Sequence, residues 1–117
     1  MGVYLVMLGM EAEMLKGHLD AIVLAALESG PAHGYAIIEA IKTRSGGTFD
    51  LPEGTIYPAL LRLEQKGWIA SEWGTSENNR RARFYSITAA GRKQLDAEAR
   101  LWARTVEMVN RLLEPES

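Results

Sequence analysis

The stretch Leu51 to Ile69, LPEGTIYPALLRLEQKGWI, constrains the fold of this chain more than any other. Ile56, Leu60 and Leu63 stand at i, i+4 and i+7, which makes one apolar stripe on a helix. Thr55, Tyr57, Pro58 and Arg62 fall off that stripe, so the outer side offers a hydroxyl, an aromatic ring and a cation. Pro58 predicts a helix start near Glu53 to Thr55, with the proline in the first turn, where a missing N–H costs little. Gly67 supplies a C-terminal stop, and Trp68-Ile69 opens a strand-like segment. The open N-terminal turn, Thr55, Tyr57 and Arg62 suit a phosphate and the floor of a nucleic-acid groove. An ordinary surface helix is the plain alternative, and the segment that follows decides between the two.

Its 117 residues make room for one domain with a modest core. There is no cysteine, so disulfides and thiolate metal sites are excluded, and a cytoplasmic location is expected. The net charge of −2 argues at first sight against a polyanionic partner, but its distribution argues the other way. From Lys42 to Lys93 there are nine basic residues against five acidic ones, a local excess of +4 that leaves −6 on the two ends. Screening confines each charge to roughly 8 Å at physiological salt, so the local patch governs binding.

The first ten residues, MGVYLVMLGM, are apolar and uncharged. They are too few to span a bilayer, which needs about 20, and they lack the basic start of a signal peptide. Residues 1–14 are read as an apolar extension, with Met10 and Met14 as alternative starts. Leu15 to Glu28 follows as a first helix, closed by Ser29-Gly30-Pro31. His33 to Lys42 is a second, burying Ile37 or Ile38 and Ile41. The loop TRSGGTFD then leads to the third helix.

Two strands are expected next, Trp68 to Thr75 and Ala82 to Thr88, the second rich in aromatic and β-branched residues. The turn SENNRR between them ends in Arg80-Arg81, with Arg83 just beyond. A hairpin with a basic tip beside a candidate recognition helix is the wing of a winged helix. Thr88 is a plausible N-cap for a helix from Ala89 to Leu113, about 25 residues and roughly 37 Å long. Leu95, Ala99, Trp102, Val106, Val109 and Leu113 recur at spacings of 4, 3, 4, 3 and 4, a heptad seam. One small domain cannot cover so long a stripe, so a second copy of the chain is the expected cover. Leu101, Met108 and Leu112 form a flanking face.

In HGYAI at His33 to Ile37, GTIYPALLRLEQKGWI at Gly54 to Ile69, RRARFYSIT in the wing and TAAGRKQL at Thr88 to Leu95, the chain resembles the PadR family of bacterial transcriptional regulators. The resemblance runs in order from about Leu15 to Leu113. It implies a mainly α fold with a small β-hairpin wing: a winged helix-turn-helix over residues 15–88, a dimerisation helix over 89–113 and a tail over 114–117. It implies a homodimer that binds double-stranded DNA at a pseudo-palindromic operator and usually represses. Some compact members hold planar aromatic compounds at the dimer interface beside a tryptophan of the terminal helix, and Trp102 stands where that residue is expected. The apolar first ten residues and the acidic ends depart from the family pattern.

The DNA-binding candidates are Thr55, Tyr57, Pro58, Arg62, Arg80, Arg81 and Arg83. The arginines are placed to neutralise phosphates, and Arg62 is also placed to reach a base edge. The alternatives are a solvated hairpin tip and an ordinary helix surface. Lys42, Arg44, Lys66, Arg92 and Lys93 are weaker candidates. Trp102 is read both as dimer core and as a ligand platform, since it is too bulky to meet its symmetry mate in a tight seam. His18 and His33 are isolated and read as structural, with no metal site. No catalytic residue or cofactor is expected: GxSxG, HExxH and a glycine-rich phosphate loop are all absent. A winged-helix module that binds protein is the rival, and a ligand-sequestering protein a weaker one.

Overall fold

The computed structural model describes residues 18–115. The apolar extension, the first residues of the expected first helix and the last two of the tail lie outside the described residues. In chain order the elements are α1 (Leu19–Ala26), β1 (Ala32–His33), α2 (Gly34–Arg44), α3 (Glu53–Gln65), β2 (Ile69–Thr75), β3 (Arg81–Ile87) and α4 (Ala89–Leu113). The bounds of α4 and its Thr88 cap are as the sequence predicts, with Thr88 Oγ accepting from the Gly91 N–H at 3.1 Å.

Three helices enclose the core, and each contributes the stripe its sequence prescribes. Ile56, Leu60 and Leu63 of α3 are fully buried, together with Val23 and Leu24 of α1 and Ile37 of α2. Burial of each such side chain stabilises the fold by about 1.5–3 kcal/mol. Both Ile37 and Ile38 are buried, where the sequence left a choice between them. Two helices end in the same way. Beyond α2, the N–H groups of Gly46 and Gly47 return to the carbonyls of Thr43 and Lys42. Beyond α3, those of Gly67 and Trp68 return to Glu64 and Leu63. Gly46 and Gly67 hold the positive φ, 64° and 75°, that this closure requires.

The sheet has the order β1-β3-β2 and is antiparallel throughout. β1 was not expected. It is two residues long, too short for any alternation to reveal it, and exists because Ala32 and His33 pair with Tyr85 and Phe84. Pro58 also differs from expectation. It is the sixth residue of α3 rather than one of its first turn, so it cannot donate to the carbonyl of Gly54. Gly54 is solvent-exposed, which lets water take that carbonyl.

α4 starts against the α3–β2 junction. Thr88 donates its hydroxyl to the Gly67 carbonyl at 2.7 Å, and its N–H to the Trp68 carbonyl at 3.0 Å. Gly91 lies so close that a Cβ there would collide with the Trp68 carbonyl oxygen. That oxygen belongs to backbone and cannot swing aside. Gly91→Ala should therefore destabilise the domain by about 1–3 kcal/mol, the usual cost of overpacking. In urea denaturation this appears as a lower midpoint at unchanged slope.

Candidate nucleic-acid interface

The wing and the start of α2 border a groove of about 910 Å³, to which α3 contributes Tyr57 and whose lining includes the carboxylates Glu39 and Glu77. Tyr35 and Tyr57 line its helical side, and Trp73, Arg80, Arg81 and Arg83 its wing side. Both tyrosines are exposed, Tyr35 at 61%. Tyr57 lies flat against the start of α2: a Cβ on Gly34 would stand 2.5 Å from its hydroxyl oxygen. His33 caps α2, its Nδ1 accepting from the Ala36 N–H at 3.2 Å, and its ring meets Phe84 edge-on. Below the groove floor, burial pushes the Tyr85 phenol above its ordinary pKa, so it remains neutral at physiological pH.

The arginines differ in what they hold. Arg80 and Arg81 are exposed at the wing, and the guanidinium of Arg81 stacks 4.6 Å from the Trp73 ring centroid. The turn before them is shaped by Asn79, in the left-handed region at φ 58°, and by Ser76, whose Oγ accepts from the Arg80 N–H. Arg83 is a strut. Its Nε–H donates to Ser71 Oγ at 2.7 Å, that hydroxyl donates to Glu64 Oε2 at 2.6 Å, and Arg83 Nη2 lies 3.4 Å from the same carboxylate. The wing is thereby tied to α3, and much of the charge expected to meet a phosphate is balanced internally.

Arg62 is exposed and paired within the domain. It points along the flank of α3 toward α1, where Nη2 donates to Asp20 Oδ1 at 2.8 Å. Lys66 takes the other carboxylate oxygen at 3.4 Å and lies over Trp68. The carboxylate of Asp20 holds both cations against the domain, so neither stands with Tyr57 on the groove side. Thr55 is half-buried on the first turn of α3, and Pro58 is exposed on its outer face.

Tyr35 and Trp73 on the groove, and Glu64 and Asp20 on its flanks, are not among the residues that the sequence singles out. For Trp73 a signal was present, a tryptophan opposite arginines across a hairpin. For Asp20 and Glu64 the partners lie 42 and 19 residues away, and only the fold brings them together.

A second cavity, about 330 Å³ and apolar, opens between α1 and α4. Ile22, Ala25, Phe49, Leu95 and Trp102 line it, and the His18 ring meets Trp102 edge-on at 4.8 Å. Leu95 corrects the expected seam: it is buried in the core of its own domain, because the first turns of α4 cross α1. Beyond it Ala99, Trp102, Val106, Val109 and Leu113 are exposed, as are Leu101, Met108 and Leu112. Among the described residues no group of three or more His, Cys, Asp or Glu is placed to hold a metal ion, and no helix is long and apolar enough to cross a membrane.

Three helices, a three-stranded sheet whose β2–β3 hairpin stands beside α3, and a long terminal helix define a winged-helix protein. Residues 23–97 match the Transcriptional regulator PadR-like family, and the chain belongs to that family of transcription regulators, which are not enzymes. Its fold superimposes on a PadR family transcriptional regulator of Eggerthella lenta with a TM-score of 0.82, at 28% identity and 99% coverage of both chains. A PadR-like transcriptional regulator of Bacillus cereus gives 0.78 at 32% identity, over 89% of this chain and 99% of that one. An uncharacterised protein of Lysinibacillus sphaericus is 29% identical over 103 residues, 88% of this chain and 94% of its own length.

The packing of Tyr57 on Gly34 is testable alone. Gly34→Ala should cost about 1–3 kcal/mol by overpacking. Most of that loss should disappear when the same change is made in a Tyr57→Ala background. A double-mutant cycle by urea denaturation measures it, and additive losses would separate the two residues.

Proposed function

We propose that this protein is a dimeric repressor that grips a pseudo-palindromic operator with α3 and the wing, and that a flat aromatic ligand beside Trp102 releases it. The observation that carries the reading is the exposure of Arg80 and Arg81 on a wing beside α3, with Tyr57 of α3 and Tyr35 of α2 facing them across an open groove. The solvent-facing wing arginines supply sequence-independent attraction to phosphate, and the helix supplies a body narrow enough for a major groove about 12 Å wide. Thr55, Tyr57 and Pro58 remain contact candidates, with Arg83 as the brace that aims the wing.

Dimerisation is supported by the apolar surface of α4 beyond Leu95. Val106, Val109 and Leu113 are exposed in succession, and Leu112 beside them is 78% exposed. A second α4 is the self-complementary cover for such a stripe and would set two reading heads about one DNA turn, 34–36 Å, apart. The ligand reading rests on the α1–α4 cavity, apolar and walled by Trp102.

Selection of bound duplexes from a randomised library, followed by gel shifts at two salt concentrations, tests the central reading. One enriched palindromic sequence is expected. Enrichment of nothing would favour the protein-binding rival. Arg80→Ala and Arg81→Ala should each flatten the slope of log K against log salt by about 0.9 and weaken specific and random DNA alike. Val106→Asp and Val109→Asp change exposed positions, so the domain should fold while sedimentation reports monomers with reduced operator affinity. Titration of planar aromatic compounds should quench tryptophan fluorescence in the wild type and much less in Trp102→Ala.

A further inference from the structure

The outward face of α3 is built of four exposed residues. Gly54, Pro58, Leu61 and Gln65 stand at spacings of 4, 3 and 4, opposite the buried stripe, and all four are exposed. None is charged. The ionic groups nearest this face are drawn away on either side: Arg62 and Lys66 by Asp20 of α1, and Glu64 by Ser71 and Arg83 of the wing. Leu61, at the centre of the face, leaves 59% of its surface in solvent although α3 has a fully buried stripe to hold it in place. The exposure thus belongs to the design of the helix rather than to loose packing.

We infer that α3 reads its operator chiefly through the 5-methyl groups of thymine, with Leu61 and Pro58 as the specificity-determining contacts. The inference rests on the DNA-binding role proposed above. In a major groove each base pair presents donors, acceptors or a methyl group, and thymine alone among the four bases carries the methyl. A face with apolar carbon at its centre cannot satisfy the acceptors of guanine, and burying them unpaired is costly. Covering a methyl, by contrast, removes apolar surface of both partners from water. The surroundings commit the occupant to DNA. The apolar face lies between the wing, with Arg80 and Arg81 exposed, and the Arg62–Lys66–Asp20 cluster, which keeps a net charge of +1, so both borders favour polyanionic strands around a neutral centre. Gly54, without a side chain, lets the backbone of the first turn approach the bases. Gln65, one turn beyond Leu61, is the hydrogen-bonding side chain of this face and stands at its C-terminal end.

The test uses the full chain and the duplex enriched in the selection, synthesised either with thymine or with deoxyuridine at single positions of each half-site. Deoxyuridine removes the methyl and leaves every hydrogen-bonding group in place. Wild type should lose about fourfold in affinity for each methyl that Leu61 or Pro58 covers, the effect of uncovering one carbon group. Leu61→Ala, an exposed change to a strong helix former, should bind the thymine duplex more weakly. It should no longer distinguish thymine from deoxyuridine at the same position, while its affinity for random duplex stays unchanged. Equal wild-type binding of the thymine and deoxyuridine duplexes would overturn the inference. So would Leu61→Ala and Pro58→Ala that both keep the full discrimination, or a Gln65→Ala loss accompanied by indifference to the methyls. Failure to enrich any sequence would instead remove the DNA-binding role on which the inference stands.

Discussion

Everything above the domain core depends on the joint between the end of α3 and the start of α4. Gly67 turns the chain out of α3, and its carbonyl and that of Trp68 are then taken by Thr88. The same threonine caps α4, so one side chain closes one helix onto the end of another. Gly91 allows the backbones to touch. Two hydrogen bonds of this kind contribute only about 0.5–1.5 kcal/mol each, but their geometric effect is larger. They fix the direction of α4 relative to α3, and with it the orientation of the proposed reading face in the proposed dimer.

The distribution of charge follows from the same packing. A count of basic residues makes the middle of the chain a polycation, yet the fold divides those residues into two groups. Arg62, Lys66 and Arg83 brace α3 against α1 and against the wing, while Arg80 and Arg81 stay at the solvent-facing edge. The pairs of the first group are partly exposed, and each stabilises the fold by at most about 1 kcal/mol. Their larger consequence is positional: they clear charge from the outer face of α3 and hold the wing at a set distance from it.

The helices and the hairpin were legible in the sequence because their signals are local. The α3 stripe repeats within one element, the Gly67 closure spans a few residues, and the Thr88 cap and Leu113 end of α4 were located to the residue. What the sequence could not convey was long-range. Whether Arg62 faces a groove or an acid depends on where Asp20 arrives, and Asp20 belongs to another helix. Leu95 obeys the heptad as well as its neighbours do, but the crossing of α1 takes it into the core. The two residues of β1 carry no alternation at all, and their strand is defined by β3. Pro58 shows a different limit: a proline is compatible with the second turn as well as the first when the carbonyl it deprives faces water.

α1 gives the proposed regulation a physical basis. On one side it presents His18, Ile22 and Ala25 to the cavity beside Trp102. On another it presents Asp20 to Arg62 and Lys66 of α3. A ligand too large for the cavity's volume of about 330 Å³ would part α1 from α4, since both form its walls. Movement of α1 acts on α3 through the Asp20 carboxylate, and movement of α4 acts on it through Thr88 and Gly91. The two routes enter α3 at different points, its flank and its C-terminal end, so a shift of either changes its tilt as well as its position. Coupling in such a system is a difference in ligand affinity between two tilts, and it is reciprocal: the tilt preferred by DNA is the one in which the cavity binds the ligand more weakly.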